Sequence, residues 1–204
     1  MHTKKTPSLV GTMLANRYLL TSLLGYGGWG FVYRACDLSK ECTQYAIKCI
    51  PKSTLTCAPE HVIRREIHLH RLVSGSSPHV LAIRDSFQDK HYVYLVLDLC
   101  TGGDMATALY NATFEGKDEL IRKVFIQILD GVTACHNKGV YHRDIKPENI
   151  LFRADGSACI TDFGLATKDA TSTQYGIATP LYSAPGNLDP VLCSLSPVFV
   201  SQSS

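Results

Sequence analysis

The chain contains the run His142-Arg143-Asp144-Ile145-Lys146-Pro147-Glu148-Asn149, which is followed downstream by Asp162-Phe163-Gly164. The carboxylates and the amide of these two runs supply oxygen ligands, which hard cations such as Mg²⁺ prefer. A lone His-Arg-Asp triplet would favour a different interpretation, a polar turn near the end of a strand. The full run with a second motif behind it instead indicates a catalytic loop followed by a metal-binding loop.

These motifs resemble the catalytic core of the eukaryotic protein kinase family, and Lys146, close behind Asp144, resembles its serine/threonine branch. Phosphoryl transfer leaves little covalent work for the protein, which has to position two oxygens and neutralise charge. The resemblance implies that Asp144 accepts the proton of the incoming hydroxyl and that Lys146 lies near the transferred phosphate. It also implies that Asn149 and Asp162 bind Mg²⁺.

A second motif lies upstream, where glycines recur in the run Leu24-Gly25-Tyr26-Gly27-Gly28-Trp29-Gly30-Phe31-Val32. Glycine has no side chain, so backbone N–H groups can approach phosphates closely. The same spacing occurs in dinucleotide-binding folds, but there the loop opens a helix. Here β-rich sequence follows, which favours a strand–loop–strand hairpin. The resemblance implies that the nucleotide is bound by Leu24, Gly25, Gly27, Gly30 and Val32.

A lysine that could bind phosphate lies on the predicted strand after this loop. Tyr45-Ala46-Ile47-Lys48 resembles a strand motif of the family whose lysine contacts the α- and β-phosphates of ATP. An isolated lysine on a strand is usually solvated. Glu66 lies on a plausible helix further along and resembles the ion-pair partner of that lysine. We expect Lys48 to be held on the phosphates only when this pair is closed.

The adenine side of the nucleotide site is predicted around a hinge at residues 98–103. The apolar run before the hinge predicts a buried strand. The resemblance implies that backbone groups near Asp98 and Cys100 bind adenine. It also includes Ala46 and Leu151 among the residues that bind the cofactor.

Asp104 follows the hinge and admits two interpretations. By resemblance to some kinases it contacts the ribose of the nucleotide and a basic side chain of the substrate. Alternatively, it caps the N-terminus of a helix, a position where aspartate is strongly preferred. The sequence alone leaves both open.

His70 departs from the family pattern, because this helical position is apolar in most kinases. The favoured interpretation is a neutral histidine that is satisfied by one hydrogen bond. A histidine at this position recurs in a group of fungal kinases linked to nutrient response and meiosis. The run Glu66-Ile67-His68-Leu69-His70 resembles that group.

The activation loop carries features that predict regulation. An arginine before the catalytic aspartate, here Arg143, often marks kinases in which this loop is ordered by phosphorylation, which implies an upstream kinase as a partner. The candidate acceptors are Thr171, Ser172 and Thr173. Further along, Thr179 resembles a family hydroxyl that contacts the catalytic loop, and we assign it to the catalytic residues.

Together these features predict an α+β fold with the two lobes of a protein kinase, a complete β-rich N-lobe and an incomplete, mainly helical C-lobe. One helix is expected in the N-lobe, from His61 to Leu72, and another in the C-lobe, from about Asp118 to Asn137. Apolar residues recur at helical spacing in the second helix. They are Leu120, Val124, Phe125, Ile128, Leu129 and Val132. The predicted segments are a flexible N-terminus (1–17), the N-lobe (18–97), the hinge (98–103), a partial C-lobe (104–186) and an atypical tail (187–204).

The resemblance ends near Pro185, where the family expects Ala-Pro-Glu and this chain has Gly186 after the proline. The tail does not resemble the central helix of the large lobe. A bare apolar stripe forfeits about 1.5–3 kcal/mol for each large side chain, against net stabilities of about 5–15 kcal/mol. We therefore expect a truncated large lobe that is unstable alone, from a gene model or transcript interrupted near Gly186.

Composition excludes several other classes of function. The 204 residues include 20 Lys and Arg against 18 Asp and Glu, for a net charge of +2, so no extended basic surface for nucleic acid is implied. The longest apolar runs are too short to span a bilayer, so no membrane partner is expected. Eight cysteines are scattered without a C-x-x-C pair, and no secretory segment precedes them. We therefore expect reduced thiols and a cytoplasmic or nuclear location.

The function that these features predict is an ATP- and Mg²⁺-dependent serine/threonine kinase that acts on a protein substrate. The alternative is an inactive, truncated kinase fragment that binds a nucleotide or a partner protein. A small-molecule phosphotransferase with a kinase-like fold is disfavoured, because Lys146, the Asp-Phe-Gly run and the activation-type loop resemble protein kinases.

Overall fold

A six-stranded antiparallel sheet forms the N-terminal half of the chain. The structure is a computed structural model, and it describes residues 8–27, 30–53 and 60–169. The neighbouring strands follow the order β1-β2-β3-β4-β6-β5. Their bounds are β1 Met13–Leu14, β2 Tyr18–Gly27, β3 Gly30–Asp37, β4 Thr43–Pro51, β5 Ile83–Gln88 and β6 Tyr92–Asp98. Helix α1 (Glu60–Val73) lies between β4 and β5 in the chain, which confirms the predicted helix.

The two faces of this sheet pack into different apolar clusters, because successive side chains of a strand point to opposite faces. Along β4, Ile47 and Cys49 belong to one cluster, whereas Ala46 and Ile50 belong to the other. The second cluster also contains Ile63 of α1. This alternation places Lys48 on the face of the sheet that α1 covers.

The first strand lies inside the segment that we expected to be flexible. β1 pairs with β2, and the side chain of Leu14 is buried. Arg17 Nη2 also binds the fully buried carboxylate of Asp37 at 2.7 Å. This hydrogen bond outweighs burial, which acts in the opposite direction, and holds the pKa of Asp37 well below its usual range. The predicted flexible N-terminus of residues 1–17 is therefore too long, because residues 8–17 are bound to the N-lobe sheet.

The described part of the chain after the hinge contains the predicted long helix together with shorter elements. It contains α2 (Met105–Tyr110), α3 (Asp118–Asn137), a 3-10 turn (Pro147–Asn149), and the short hairpin β7 (Ile150–Phe152) and β8 (Ala158–Ile160). The bounds of α3 match the predicted helix. The α+β fold with two lobes is thus confirmed within the described residues.

Strand β8 is paired on both sides. β7 lies on one side, and on the other the chain between α1 and β5 runs parallel to β8. Leu81 N–H donates to Ile160 O at 2.9 Å, and Ile160 N–H donates to His79 O at 2.9 Å. These bonds connect the segment that follows α1 directly to the strand that leads into Asp162.

The apolar stripe of α3 is only partly covered within the described part of the chain. Val124 is buried, and three neighbours of the predicted stripe pack against the same core. In contrast, Phe125 and Leu129 are 60% and 47% exposed. The spacing predicted the helix correctly, but it could not show which side of the stripe has a partner.

The expectation that all cysteines are reduced is wrong for one pair. Cys36 and Cys42 form a disulfide across the turn between β3 and β4, with Cα atoms 4.7 Å apart. The turn brings the two residues together, since Cys42 N–H donates to Asp37 O at 3.1 Å. The free cysteines of the described chain are Cys49, Cys100, Cys135 and Cys159.

Several predicted features lie outside the described residues. They are Thr179, the candidate acceptors Thr171, Ser172 and Thr173, the departure at Gly186, and the tail at residues 187–204. Within residues 8–27, 30–53 and 60–169, no helix combines the length and apolarity needed to cross a bilayer.

A substitution at Gly131 would test how tightly α3 packs on β8. A Cβ atom at this position would lie 2.6 Å from His79 O and 2.9 Å from Ile160 Cδ1. We expect Gly131→Ala to lower the free energy of unfolding by about 1–3 kcal/mol, because overpacking forces the backbone to move. Chemical denaturation would measure this loss.

Gly27→Ala is the matched control, because no described atom lies within 4 Å of the added Cβ. Equal stability of the Gly131→Ala variant and the parent chain would contradict this packing.

Candidate active site

An ion-pair network joins three elements at the centre of the site. Lys48 Nζ lies 2.8 Å from Glu66 Oε1 and 3.1 Å from Asp162 Oδ1. The side chains of Lys48 and Glu66 are only 13% and 6% exposed. The structure therefore contains the closed pair that the sequence predicted between these residues, and it adds Asp162 as a second partner.

The protonation of Lys48 follows from these contacts. Burial alone would lower its pKa, but the carboxylates of Glu66 and Asp162 outweigh burial and hold the pKa above its ordinary value. Burial likewise acts to raise the pKa of Asp162, yet the ammonium of Lys48 lowers it overall. The network therefore keeps Lys48 positive and Asp162 negative at neutral pH.

The catalytic-loop residues converge on the carboxylate of Asp144. Lys146 Nζ lies 2.9 Å from Asp144 Oδ2. The amide nitrogen of Asn149 donates to Asp144 O at 2.8 Å and to Asp144 Oδ2 at 3.0 Å. The 3-10 turn before β7 places Asn149 there. The sequence predicted that these three residues act together, and the fold brings them into contact.

The ring of His142 is hydrogen-bonded to this loop and to the chain after β8. Its Nδ1 accepts a hydrogen bond from Asp144 N–H at 3.3 Å, so its other ring nitrogen donates to Thr161 O, 3.0 Å away. Burial lowers the pKa of His142, which favours this neutral ring. Thr161 also donates its N–H to Asn149 O at 2.9 Å. No sequence motif pointed to Thr161, because it acts through its backbone.

Three rings in contact continue from the loop towards α1, with Phe163 stacked on His70 and edge-to-face with His142. The ring centroid of Phe163 lies 4.8 Å from that of His142 and 4.6 Å from that of His70. Nε2 of His70 forms a 2.7 Å hydrogen bond with Leu81 O. Burial lowers the pKa of His70 to about 4. The prediction of a neutral histidine with one hydrogen bond is confirmed.

The backbone is strained at two residues of the site. Arg143 and Asp162 have φ angles of 65° and 63°, in a region that residues with a side chain rarely adopt. Such strain persists only where surrounding contacts fix it. Here Arg143 Nε donates to Leu165 O at 2.8 Å, and Lys48 binds the side chain of Asp162.

The glycine-rich run forms the predicted strand–loop–strand hairpin. β2 and β3 pair from Tyr18 and Asp37 up to Gly27 and Gly30. Gly30 has a φ of 143°, and a Cβ there would overlap Cys49 O, so this position requires glycine. At Gly25 and Gly27 no described atom lies within 4 Å of such a Cβ. Both glycines therefore face open space, and Leu24 beside them is 43% exposed.

The predicted adenine-binding residues share one apolar cluster. Ala46 is buried in it, and Val32, Cys100 and Leu151 pack against it. The carboxylate of Asp98 is held by Arg84, with Arg84 Nε 2.6 Å from Asp98 Oδ1. Any contact of Asp98 with adenine must therefore come from its backbone, as the resemblance implies.

Asp104 caps a helix. Its Oδ1 accepts a hydrogen bond from Thr107 N–H at 2.7 Å, and its Oδ2 accepts one from Thr107 Oγ1 at 3.0 Å. Asp104 thus begins α2, and the capping interpretation is confirmed. A contact of Asp104 with ribose stays a prediction.

The residues present fit Mg²⁺ bound together with phosphates. The described residues contain no group of three or more His, Cys, Asp or Glu side chains that could hold a metal ion by themselves. Asp162 and Asn149 offer one carboxylate and one amide oxygen. Mg²⁺ commonly binds one or two carboxylates, several waters and the phosphates of a substrate. A two-residue site therefore suits a metal that arrives with a nucleotide.

Comparisons with known proteins agree with this geometry. The family model described as "Protein kinase domain" matches residues 18–193. The chain is 35% identical over 179 residues to the Schizosaccharomyces pombe protein named "Negative regulator of sexual conjugation and meiosis", a match that covers 87% of this chain and 38% of the relative. It is 36% identical over 187 residues to "Serine/threonine-protein kinase ksp1" of the same yeast, covering 85% and 38%.

A plant relative is similar to the same extent. "CBL-interacting protein kinase 26" of Oryza sativa subsp. japonica is 34% identical over 180 residues, which are 85% of this chain and 36% of the relative. The chain thus spans between 36% and 38% of the length of these three relatives. The two yeast relatives agree with the fungal resemblance noted at His70.

The buried ring of His70 makes stability depend on pH. Unfolded histidine binds a proton below pH 6.5, whereas folded His70 does so only below about pH 4. The unfolded chain therefore binds more protons in this window, and stability falls as the pH drops through it. A shift from 6.5 to about 4 corresponds to about 3 kcal/mol. We expect His70→Leu to flatten this dependence, as measured by urea denaturation between pH 4.5 and 7.5.

His68→Leu is the matched control, since His68 is exposed on the same helix. The His70→Leu variant keeps the contribution of His142, so some slope remains. A slope equal to that of the parent chain would contradict the assignment to His70.

Proposed function

Because the chain belongs to the protein kinase family, in its serine/threonine branch, we propose that it transfers the γ-phosphate of ATP to a hydroxyl group of a protein substrate. Members of this family generally use ATP and Mg²⁺. The proposal extends that activity to a chain that spans 38% of the length of each of its two yeast relatives. It rests on the residues of the site and not on the names of these proteins.

One observation carries the proposal. The network of Lys48, Glu66 and Asp162 is closed while Asp144 and its two partners are also assembled. Phosphoryl transfer requires mainly positioning and charge neutralisation, so both halves must be in place together. A chain that only packed against a partner would not need two buried or half-buried charge networks next to each other.

The proposed chemistry assigns a task to each half of the site. Bound Mg²⁺ and ATP supply the reactive phosphoryl group and neutralise its charge. Asp144 accepts the proton of the substrate hydroxyl, and Lys146 holds the carboxylate of Asp144 while it offers positive charge to the transferred group. Lys48, fixed by Glu66, binds the α- and β-phosphates. Asn149 and Asp162 provide the oxygen ligands for the metal.

The apolar cluster and the glycine hairpin complete the nucleotide site in this proposal. Adenine packs between Val32 and Ala46 on one side and Leu151 on the other, with backbone contacts near Asp98 and Cys100. The open backbone at Gly25 and Gly27 covers the phosphates. Thr179 is proposed to contact Asp144 and Lys146 through its hydroxyl.

Asp144→Asn tests the catalytic assignment. We expect the rate of phosphate transfer to a generic protein substrate to fall by about 10²–10⁴-fold, because the amide cannot accept the hydroxyl proton. The affinity for an ATP analogue should be unchanged. Transfer of radiolabelled phosphate and fluorescence titration would measure the two quantities.

Asp155→Asn is the control, since Asp155 lies in the exposed turn between β7 and β8. A folded parent chain that binds nucleotide but transfers no phosphate would favour the alternative function, a nucleotide-binding kinase fragment. A folded chain that binds no nucleotide would overturn the proposed function.

Regulation by an upstream kinase is a second part of the proposal. Burial lowers the pKa of Arg143, and the nearby positive charge of Arg65 lowers it further. The carboxylate of Asp169 acts in the opposite direction, and a phosphate group would add further negative charge and could form charge-assisted hydrogen bonds with both guanidinium groups. We therefore propose that a phosphorylated residue among Thr171, Ser172 and Thr173 binds Arg143 and Arg65.

Phosphatase treatment tests this regulation. We expect the kinase activity of the treated protein to be about tenfold lower than that of the untreated protein, because phosphorylation commonly orders such loops. The variant Arg65→Ala should respond less to the same treatment. Full activity of protein that mass spectrometry shows to be free of phosphate would contradict the proposal.

A further inference from the structure

Two free cysteines contact each other in the apolar cluster of the proposed adenine site. Cys100 lies in the hinge directly after β6, and Cys159 lies in the middle of β8, opposite Leu151. Their Sγ atoms are 3.5 Å apart. A disulfide bond is about 2.05 Å long, so the two sulfur atoms need to approach by only about 1.5 Å to form one.

The surroundings of the two thiols are unequal. Cys100 is partly exposed, whereas Cys159 is buried. The hydrogen bond with Cys159 lowers the pKa of Cys100, and the guanidinium of Arg153 lowers it further. The same hydrogen bond and burial raise the pKa of Cys159. Cys100 is thus the accessible thiol with the greater thiolate character, and Cys159 is a protected thiol next to it.

This arrangement has the two parts that oxidative disulfide formation requires. An oxidation-sensitive cysteine is accessible, has a lowered pKa, and lies beside a second cysteine that captures the oxidised sulfur. We propose that Cys100 and Cys159 are a site of reversible oxidative modification, at which a hydroperoxide converts the two thiols into a disulfide that weakens nucleotide binding.

The reaction balances with hydrogen peroxide as the oxidant. The Cys100 thiolate attacks one peroxide oxygen, an S–O bond forms, the O–O bond breaks, and the leaving hydroxide takes a proton to become water. The sulfur of Cys159 then loses its proton and attacks the sulfenic acid of Cys100, so that an S–S bond forms and a second water leaves. The two thiols lose two electrons in total, and an external thiol reverses the change.

The consequence for the nucleotide site follows from the position of Cys100. The hinge is already fixed further along, where Gly102 N–H donates to Phe152 O at 2.9 Å. A Cβ on Gly102 would lie 2.7 Å from Phe152 Cβ, so this part of the hinge has no room to move towards β7. The approach of the sulfur atoms therefore displaces the backbone around Cys100. This consequence rests on the proposed function, in which that backbone binds adenine, whereas disulfide formation does not.

Peptide mapping tests the bond itself. The folded, reduced chain is treated with hydrogen peroxide, digested without reductant and analysed by mass spectrometry. We expect a cross-linked pair of peptides that contain Cys100 and Cys159, lighter by two hydrogen atoms than the sum of the reduced peptides. The cross-link should be absent from Cys159→Ser and present in Cys135→Ser, which removes a buried thiol of α3. No such cross-link in the oxidised, folded parent chain overturns the proposal.

Nucleotide binding tests the consequence. We expect oxidation to raise the Kd for a fluorescent ATP analogue by about tenfold and dithiothreitol to restore it. Cys159→Ser should keep its affinity after oxidation. Cys42→Ser, which removes the disulfide with Cys36, should still respond as the parent does. A cross-linked chain with unchanged Kd overturns the effect on binding.

Failure of this proposal and failure of the proposed function remain distinguishable. A reduced, folded chain that binds no ATP analogue overturns the nucleotide site together with the effect on binding, while the peptide map still decides whether the disulfide forms. If Cys159→Ser does not fold, the map of the parent chain and the response of Cys100→Ser decide the question.

Discussion

The position of one buried ammonium group constrains the whole site. Lys48 extends from the middle of β4 and contacts Glu66 of α1 and Asp162 of the metal-binding loop. A buried charge without a partner is costly, so each of these elements has to hold its place for the others to be stable. The ion pairs therefore connect the sheet, the helix and the loop after β8.

Strand β8 transmits this constraint to the catalytic loop. It is paired on both sides, and it is followed by Thr161, whose carbonyl oxygen accepts a hydrogen bond from the ring of His142. Phe163 lies between His142, which it contacts edge-to-face, and His70, on which it stacks. Because these contacts are short and buried, a shift of α1 would disturb the ring contacts as well as the ion pair. The positions of both charge networks therefore depend on strand β8 and on the ring contacts of Phe163.

Much of the candidate site was predictable because its chemistry demands particular residue types. Carboxylates, an amide and a lysine at fixed spacing in two runs predicted a catalytic loop and a metal-binding loop by resemblance. Local contacts were less predictable. The binding of residues 8–17 to the sheet and the disulfide of Cys36 and Cys42 each depend on where a turn brings the chain. A sequence pattern records the residue types but not these distances.

The sequence by itself determined the family, the two-lobe α+β fold, the bounds of the long helices and the identity of the charged residues. The helix bounds follow from hydrophobic periodicity, whereas the family and the two-lobe fold follow from the resemblance of the motifs to a known family. Only the tertiary structure decided which groups meet. It placed Asp162 on Lys48, His70 on Phe163 and Cys100 beside Cys159. Each of these pairs is far apart in sequence, and each forms because burial removes water and leaves the partner as the nearest group for a charge, a ring or a thiol.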